Sequence, residues 1–249
     1  MGRAPRQVGA GGSYHLMARG SGKRRVFFDD DHYAEFVRRT GETARRHGWI
    51  LHAFCLMPNH VHLATTTGEP TMPAGMRDLL GGFARWSNRV RVSAGHLFSA
   101  HYRDVPIDSD RQLLAVTRYI CRNPVRAGLV ESPSDWPWSS YAATIAPATG
   151  GRTIIDATTV LGLLDPDPRR ARTAFRRLVE DEAPTPEVHP ALMDPTGDSA
   201  RALGIREILR EFGEREGVTV SLRLGFRQRD IAAELGISPS ALSHRIDRS

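Results

Sequence analysis

The chain has 249 residues, with 34 Lys or Arg against 28 Asp or Glu, which gives a formal net charge of +6 at pH 7. Nearly all of the positive charge is arginine, whose planar guanidinium suits phosphate, so composition alone makes nucleic acid the leading partner. The two cysteines, Cys55 and Cys121, are too few for a disulfide scaffold and lack a zinc-ligand spacing, so we expect buried, reduced thiols.

The first predicted elements are a flexible N-terminus over residues 1–12 and a strand over residues 13–19. A basic loop, residues 20–25, follows that strand. This loop lacks the spacing and the Lys-Ser/Thr ending of a Walker motif, so two interpretations stay open. It is either a solvated turn or a contact to phosphates or bases.

A helix, a hairpin and a second helix are predicted next. Acidic residues 29–31 favour a helix start, and Gly48 marks the end of that helix. Strands over residues 49–57 and 60–66 are joined by Pro58-Asn59, which has good turn chemistry. Apolar residues at helical spacing then predict a second helix over residues 73–92.

Two histidines open the second strand of that hairpin. Side chains two positions apart on a strand project from the same face, so His60 and His62 offer two imidazoles to one metal ion. A lone His-x-His pair is more often two satisfied or surface histidines than a pair of ligands. The metal interpretation therefore needs further groups that reach the same point.

A strand over residues 103–107 and a third helix over residues 110–122 complete the pattern. Tyr119 and Asn123 are four positions apart, and therefore neighbours along one helix face, off the apolar stripe of this helix. Asn123 can offer a side-chain oxygen as third ligand to a hard cation such as Mg²⁺ or Mn²⁺. Ser109 with Gln112 forms a capping box that starts the helix. A paired-histidine strand plus a tyrosine helix indicates metal-assisted nucleophilic attack.

The element order predicts an α+β domain over residues 13–150, a ferredoxin-like antiparallel sheet with helices packed on a face. Residues 151–198 are predicted to hold helices and a proline-rich linker. Residues 199–249 are predicted to form a small all-α helix-turn-helix domain, with Ser238 capping its second helix. That helix would direct four side chains at a major groove, namely those of Ser240, Ser243, His244 and Arg245. The alternative is that the unit is only a helical packing module that touches no DNA.

Five stretches, in order over residues 12 to 145, resemble a known family. They are YHLMARG (14–20), HAFCLMPNHVH (52–62), GHLF (95–98), YICRNPVRAGLV (119–130) and WPWSSY (136–141). Together they resemble the transposases associated with repetitive extragenic palindromes. These are single-tyrosine members of the nuclease superfamily named for its His-hydrophobic-His motif, and they are similar to insertion-sequence transposases.

The resemblance implies a ferredoxin-like domain that cleaves and rejoins single-stranded DNA beside hairpins or palindromes, as a monomer or homodimer. His60, His62 and Asn123 would bind Mg²⁺ or Mn²⁺, and Tyr119 would be the nucleophile. A tyrosine has an ordinary pKa of about 10, so a nearby cation must favour its phenolate. The DNA would be held through a 5′-phosphotyrosine, so rejoining would need no nucleotide cofactor.

No run of eighteen apolar residues occurs, and the N-terminus lacks the apolar stretch of a signal peptide. We therefore expect no membrane partner and no export. Such a transposase would be a cytoplasmic bacterial protein associated with the nucleoid.

Several basic side chains are plausible phosphate contacts, although each one alone is more often solvated. They are Arg19, Lys23, Arg24, Arg25, Arg85, Arg89, Arg103, Arg122 and Arg126. If about six phosphates are neutralised, the logarithm of the affinity for single strands should fall with log salt at a slope of about −4. Phe98 and Trp138 are candidates for stacking on unpaired bases through their aromatic rings, whereas Trp86 is expected in the core.

Three alternatives stay open. Tyr102, beside His101 and Arg103, competes with Tyr119 as the nucleophile. The chain would otherwise be a DNA-binding regulator that no longer cuts, or a metal-dependent hydrolase of a small phosphoester that uses an activated water. The intact histidines and tyrosine weigh against the regulator.

Overall fold

The computed structural model describes residues 12–99, 101–146, 153–181, 209, 218 and 228–246. The chain divides into two compact units, Met1–Val188 and His189–Ser249. The predicted flexible N-terminus, up to residue 11, and the predicted proline-rich linker, from residue 183, lie outside the described residues.

The first unit begins as an alternation of strands and helices and ends in three further helices. Its elements are β1 (Gly12–Arg19), α1 (Asp30–His47), β2 (Trp49–Met57), β3 (His60–Thr67), α2 (Met72–Val90), β4 (Arg103–Ile107), α3 (Asp110–Arg126), α4 (Tyr141–Ile145), α5 (Thr158–Gly162) and α6 (Pro168–Glu180).

The four strands form one antiparallel sheet. β1 lies inside the sheet between β3 and β4, and β2 is the outer neighbour of β3, so the strand order is β2-β3-β1-β4. With the succession β-α-β-β-α-β along the chain, this is a ferredoxin-like arrangement. The predicted α+β class is confirmed.

Local sequence signals set both ends of α1. The Asp29 side chain accepts a hydrogen bond from the backbone N–H of His32 at 2.9 Å. Gly48 ends the helix at a φ of 65°, which a residue without a Cβ adopts without strain. Between them, Phe36 packs edge-on to Phe83 of α2 in the core beneath the sheet.

Helices cover both faces of the sheet, whereas the sequence predicted helices on one face. Side chains alternate along β1 because successive residues of a strand point to opposite faces. Leu16 belongs to the apolar core with α1 and α2, while the neighbouring His15 contacts the ring of Tyr119 on α3. The layers are therefore α1 and α2, then the sheet, then α3.

The third helix is about one turn longer than predicted. Pro124 locally favours an end near the predicted residue 122, because proline lacks a backbone N–H and disfavours helix before it. Instead α3 keeps Pro124 inside the helix. The N–H of Ala127 donates to the carbonyl of Asn123 at 3.0 Å, so the last turn still closes around the proline. Asn123 thus lies on α3 and is 8% exposed.

Helix α6 covers the outer side of α3 and is held there by two arginines. Arg118 donates from Nε to the carbonyl of Leu178 and from Nη2 to that of Asp181, both at 2.7 Å. Arg122 donates from Nη1 to the carbonyls of Val179 at 2.8 Å and Asp181 at 2.9 Å. These carbonyls end α6, where backbone acceptors lack intrahelical partners and cations are favoured. This segment therefore braces α3.

Both edges of the sheet are closed to further strands. Along β2, the backbone N–H of Leu56 donates to the carbonyl of Trp138 at 2.9 Å, so residues 136–140 run beside that edge. At the other edge, β4 has five residues and includes Pro106. A proline has no N–H to donate to a neighbouring strand, and a short edge strand offers few other groups.

Two expectations about burial hold. Both cysteines are buried free thiols, and burial raises the pKa of Cys121 to about 12. Trp86 packs against the core as predicted. Trp138 is half-buried and stacks one face of its ring on Tyr33 with ring centroids 4.8 Å apart, so that face is not available to a base.

Two helices are described in the second unit, α7 (Gln228–Glu234) and α8 (Pro239–Ile246). Gly236 makes the turn between them at a φ of 67°, and the Ser238 hydroxyl accepts from the N–H of Ala241 at 3.2 Å. Ile231 and Leu242 are buried in a small apolar cluster that joins the pair. DNA binding by this unit stays a prediction. Among all the described helices, none is long and apolar enough to cross a membrane.

Candidate functional site

The sheet register places the two histidines of β3 on the face that α3 covers. His62 lies opposite Met17 of β1, and His60 lies opposite Arg19. Directly opposed residues of antiparallel strands project from the same face. The side chains of His60, His62 and Arg19 therefore share the face on which Tyr119 lies.

Four residues predicted from the sequence meet at this face. The rings of His60 and His62 are nearly perpendicular, with centroids 4.8 Å apart. The Tyr119 ring packs edge-on to His62 at 5.6 Å between centroids. The amide Nδ2 of Asn123 is 3.2 Å from Nε2 of His62. A single chain thus brings both histidines, the tyrosine and the amide together.

His15 is a further member of this cluster that the sequence reasoning did not identify. Its Nε2 is 3.0 Å from Nδ1 of His62, and its side chain is fully buried. Because Asn123 donates to Nε2 of His62, that nitrogen must be unprotonated, and a neutral imidazole then carries its proton on Nδ1. His62 therefore donates from Nδ1 to His15, which fixes one tautomer of His62.

His62 is held in the neutral form that a metal requires. Burial is the main cause that lowers its pKa well below the ordinary value, and electrostatic interactions with His60, His15 and Arg19 act in the same direction. His60 has a polar neighbour of its own, because its Nδ1 is 2.7 Å from Oδ1 of Asn59. Each histidine thus has Nδ1 engaged and Nε2 as the atom it would offer a cation.

The donor set fits a divalent cation only if an amide takes part. Among the described residues, no group of three or more His, Cys, Asp or Glu side chains is placed to hold a metal. His60 and His62 supply two imidazoles, and Asn123 supplies an oxygen once its amide turns from the donor orientation. Metal-bound histidines commonly have the second nitrogen hydrogen-bonded, as both Nδ1 atoms are here. Two imidazoles and one amide oxygen therefore make a donor set that can hold a divalent cation.

The positions of Tyr119 and Tyr102, the two candidate nucleophiles, differ in the structure. Tyr119 is 8% exposed and touches His62. Tyr102 is half-buried and packs against the apolar core on the side of α1 and α2. It follows that Tyr119 is the tyrosine beside the histidines.

Apart from Arg85 and Arg89 on α2 and Arg122 on α3, the predicted phosphate contacts fall into two groups. Arg19 and Arg103 share the face of the histidines, and Arg126 lies 5.1 Å from the centre of the Tyr119 ring. Lys23, Arg24 and Arg25 are exposed in a loop whose Lys23 carbonyl accepts from Asn59 beside His60. Arg122 instead has Nη1 bonded to backbone carbonyls at the end of α6.

The helix-turn-helix residues are described only in part. Ser240 is exposed at the start of α8, and the Ser243 hydroxyl lies 3.5 Å from Oε1 of Gln228 on α7. His244 and Arg245 lie in α8, but their side chains are outside the part of the structure that is described. Their DNA contacts stay a prediction.

The fold and the cluster define a class of protein. A sheet that presents paired histidines to a helix-borne tyrosine is suited to metal-assisted attack on a phosphodiester. Residues 10–123, which include every member of the cluster, match the family model of the IS200-like transposases. The resemblance that the motifs predicted is therefore confirmed over these residues, which are similar to the IS200-like transposases.

Two relatives agree with that match. A protein of Haemophilus influenzae whose name places it among the REP-associated tyrosine transposases is 27% identical over 122 residues, which cover 45% of this chain and 69% of that protein. A solved structure of a REP-associated tyrosine transposase bound to a REP hairpin has a TM-score of 0.51 at 20% identity. It covers 64% of this chain and 93% of its own. At that identity the likeness shows a shared fold.

Proposed function

We propose that this protein is a single-tyrosine transposase that cleaves and rejoins single-stranded DNA next to a hairpin or palindrome. The observation that supports it most is the contact of Tyr119 with His62 inside one chain, at 5.6 Å between ring centroids. The match to IS200-like transposases and the solved relative bound to a hairpin support the same substrate class.

The proposed step is attack by Tyr119 on the scissile phosphorus. A bond forms from the phenolic oxygen to phosphorus while the bond from phosphorus to the 3′ oxygen breaks. The phenol loses its proton to solvent, and the departing 3′ oxygen gains one. The products are a 5′-phosphotyrosine and a free 3′ hydroxyl. Because the phosphodiester energy is retained in the adduct, another 3′ hydroxyl can reverse the step and join the strands.

The chain's own residues prepare that attack. The Arg126 guanidinium lies 5.1 Å from the centre of the Tyr119 ring, and a positive charge there favours the phenolate. His15 holds His62 in the tautomer that leaves Nε2 unprotonated. Mg²⁺ or Mn²⁺ held by His60, His62 and Asn123 would neutralise charge that develops on the phosphate.

DNA binding is proposed to use the basic residues around this face and the second unit. Arg19, Arg103 and Arg126 would hold phosphates near the tyrosine, and the loop with Lys23, Arg24 and Arg25 would extend the contact. α8 would contact duplex DNA through Ser240, Ser243, His244 and Arg245. Since one chain supplies every proposed catalytic group, a monomer would suffice, and a homodimer would contain two sites.

The test is an adduct assay with two differently labelled strands. A hairpin-bearing DNA strand is labelled at its 3′ end or at its 5′ end, incubated with the protein and Mn²⁺, and run on a denaturing gel. The 3′ label should migrate with the protein, while the 5′ label should leave on a shorter strand with a 3′ hydroxyl. Tyr119→Phe should lose the adduct, and Tyr102→Phe should keep it.

Each of the other outcomes would indicate a different function or a different nucleophile. Cleavage without an adduct would indicate a hydrolase, and binding without cleavage would indicate a regulator. An adduct that persists in Tyr119→Phe and disappears in Tyr102→Phe would move the nucleophile to Tyr102.

A further inference from the structure

We infer that the end of α6 positions the nucleophile and the amide ligand of the proposed site, acting through Arg118 and Arg122 of α3. This inference rests on the proposed function, because it takes Tyr119 as the nucleophile and Asn123 as a metal ligand. Both arginines are bonded to α6 and would act through the residues that follow them in the chain. They are therefore positioning residues rather than catalytic ones.

The two arginines have the same spacing as the two groups that they would position. Arg118 directly precedes Tyr119, and Arg122 directly precedes Asn123. Successive residues of a helix are rotated by about 100° around its axis, and residues four apart share a face. One face of α3 therefore carries the tyrosine and the amide that contact His62, and the adjacent face carries both arginines. Any rotation of α3 moves the two pairs together.

Hydrogen bonds to backbone carbonyls fix the rotation of α3 against the end of α6. Arg118 donates from two nitrogens, Nε and Nη2, to the carbonyls of Leu178 and Asp181. Arg122 donates from one nitrogen, Nη1, to the carbonyls of Val179 and Asp181. Arg118 is 6% exposed, so the loss of its bonds would leave a buried charge without those acceptors. A rotation or a slide of α3 would break bonds at both arginines, so α3 has one favoured position.

The last turn of α3 needs this support because it contains a proline. Pro124 has no N–H, so it cannot donate to the carbonyl of Ile120, which is the bond that an unbroken helix would make there. A proline inside a helix costs about 3 kcal/mol or more and favours a kink. Asn123 lies directly before the proline, so a kink would turn its amide away from His62. The bonds of Arg122 hold the turn that the proline weakens.

The WPWSSY motif ties α6 itself to the sheet that carries the histidines. The hydroxyl of Tyr141 in this motif donates to Oε1 of Glu180 at the end of α6. Tyr141 is fully buried, and its ring stacks on Phe175 of α6 with ring centroids 6.1 Å apart. One residue earlier, the N–H of Ser140 donates to the carbonyl of Phe54 in β2 at 2.9 Å. Contacts therefore run from the sheet through Tyr141 and α6 to α3, which fixes the tyrosine helix relative to the histidines.

Replacement of the arginines by lysine separates the geometry of the contact from its charge. A lysine ammonium is one nitrogen with three donors, so Arg122→Lys can still reach two carbonyls from a single atom. Lysine cannot reproduce the two donor nitrogens of Arg118, so Arg118→Lys keeps the charge and loses a bond. Arg122→Met removes the bonds of Arg122 altogether. Arg177→Met is the matched control, because Arg177 is exposed in the last turn of α6.

The first measurement is the rate of adduct formation by the full chain at saturating hairpin DNA and saturating Mn²⁺, with DNA affinity measured separately in EDTA. We expect Arg118→Lys to slow the adduct about 10- to 100-fold, the effect of misplacing a reacting group by about 1 Å, with DNA affinity unchanged. Arg122→Lys and Arg177→Met should keep the wild-type rate. Tyr141→Phe keeps the ring but loses the bond to Glu180, and should slow the adduct by a smaller factor.

The second measurement is amide hydrogen exchange by NMR, which does not depend on catalysis. The N–H of Ala127 donates to the carbonyl of Asn123, so its exchange reports whether the last turn of α3 is closed. Arg122→Met should speed that exchange about tenfold, the effect of losing charged hydrogen bonds. Exchange at Leu113, in the first turn of α3, should not change. The affinity for Mn²⁺ should fall about tenfold in the same variant, because the amide ligand is no longer held.

The results that overturn the inference differ from those that overturn the proposed function. Wild-type adduct rates in Arg118→Lys, with unchanged exchange at Ala127 in Arg122→Met, would overturn the positioning role and leave the transposase standing. Faster exchange at Leu113 as well as Ala127, or a parallel loss of DNA affinity, would reduce the arginines to general stabilisers of the fold and also overturn that role. A wild-type protein that forms no adduct would overturn the proposed function, and exchange at Ala127 would still decide whether α6 holds the last turn of α3.

Discussion

His15 lies with its Nε2 3.0 Å from Nδ1 of His62, so one buried histidine orients another. The opposite nitrogen of His62 faces the amide of Asn123 at 3.2 Å. These two contacts orient the His62 ring so that its Nε2 faces the side of the site where Tyr119 lies. A second hydrogen bond to a ligating histidine fixes its ring and raises its basicity.

We expect His15→Ala to weaken Mn²⁺ binding about 10- to 100-fold, the usual loss when the partner of a ligating histidine is removed. His15→Gln should restore part of the affinity, because its amide oxygen can still accept from Nδ1 of His62. Calorimetric titration of the protein with Mn²⁺ measures both. A His15→Ala protein that binds Mn²⁺ as the wild type does would remove this role from His15.

His60→Ala should abolish cleavage and adduct formation while leaving DNA affinity nearly unchanged. The reason is that His60 is proposed to contact the cation and not the DNA. Cleavage is followed at saturating Mn²⁺, and affinity is measured in EDTA with the same hairpin strand. Full residual cleavage would exclude His60 from the metal site, and a parallel loss of DNA affinity would make it a DNA contact.

Arg118→Met should lower the free energy of unfolding by about 2 kcal/mol or more. The change removes two charged hydrogen bonds and leaves the carbonyl of Leu178 without its side-chain donor, while the carbonyl of Asp181 keeps the bond from Arg122. Arg111→Met, at an exposed position in the first turn of α3, is the control and should stay within about 0.5 kcal/mol. Urea unfolding compares the three proteins. Equal stabilities would show that α6 does not brace α3.

The salt dependence of DNA binding should separate two arginines of similar charge. Arg25 is exposed beside the hairpin turn, so Arg25→Ala should reduce the slope of log affinity against log salt by about 0.7. Arg122 is engaged at the end of α6, so Arg122→Ala should leave the slope unchanged. Affinities for one single strand over a series of salt concentrations give both slopes. The opposite pattern would place Arg122 on the DNA.

The stability of the first unit should fall as the pH drops below about 6.5, in part through His52. Burial lowers the pKa of His52 in the folded chain, and its Nε2 lies 2.7 Å from Oγ1 of Thr66. As the pH falls, His52 is protonated in the unfolded chain before it is protonated in the folded chain. The stability that neutral His52 contributes above the ordinary histidine pKa is therefore lost as the pH falls below that value. Unfolding at pH 7.5 and 5.5 should show a smaller drop for His52→Gln. An equal drop would contradict this account.

Most helices and strands of the first unit could be predicted because the sequence features that begin and end them are local. Asp29 and Gly48 bound α1, and Pro58-Asn59 turns the hairpin, each within a few residues of the element that it sets. The end of α3 was predicted wrongly for the same reason. Pro124 locally disfavours the last turn of α3, but packing between the sheet and α6 stabilises that turn.

The cluster was predictable where it lies on one element and not where it depends on pairing. His60 and His62 share a strand face by periodicity, and Tyr119 and Asn123 share a helix face. His15 is 47 residues from His62, and their contact exists only through the register of β1 on β3. The available signal was that His15, Met17 and Arg19 alternate along one face of β1. Likewise Arg122 binds backbone carbonyls, and a sequence gives no sign of such acceptors.

The closure of both sheet edges has a consequence for handling the protein. A neighbouring molecule finds neither an open row of amides along β2 nor a long partner in β4, where Pro106 interrupts the donors. Intermolecular strand pairing is the usual route by which sheet proteins polymerise. The folded first unit should therefore remain dispersed at high concentration, and fibrils or gels should form only under conditions that first detach residues 136–140 from β2.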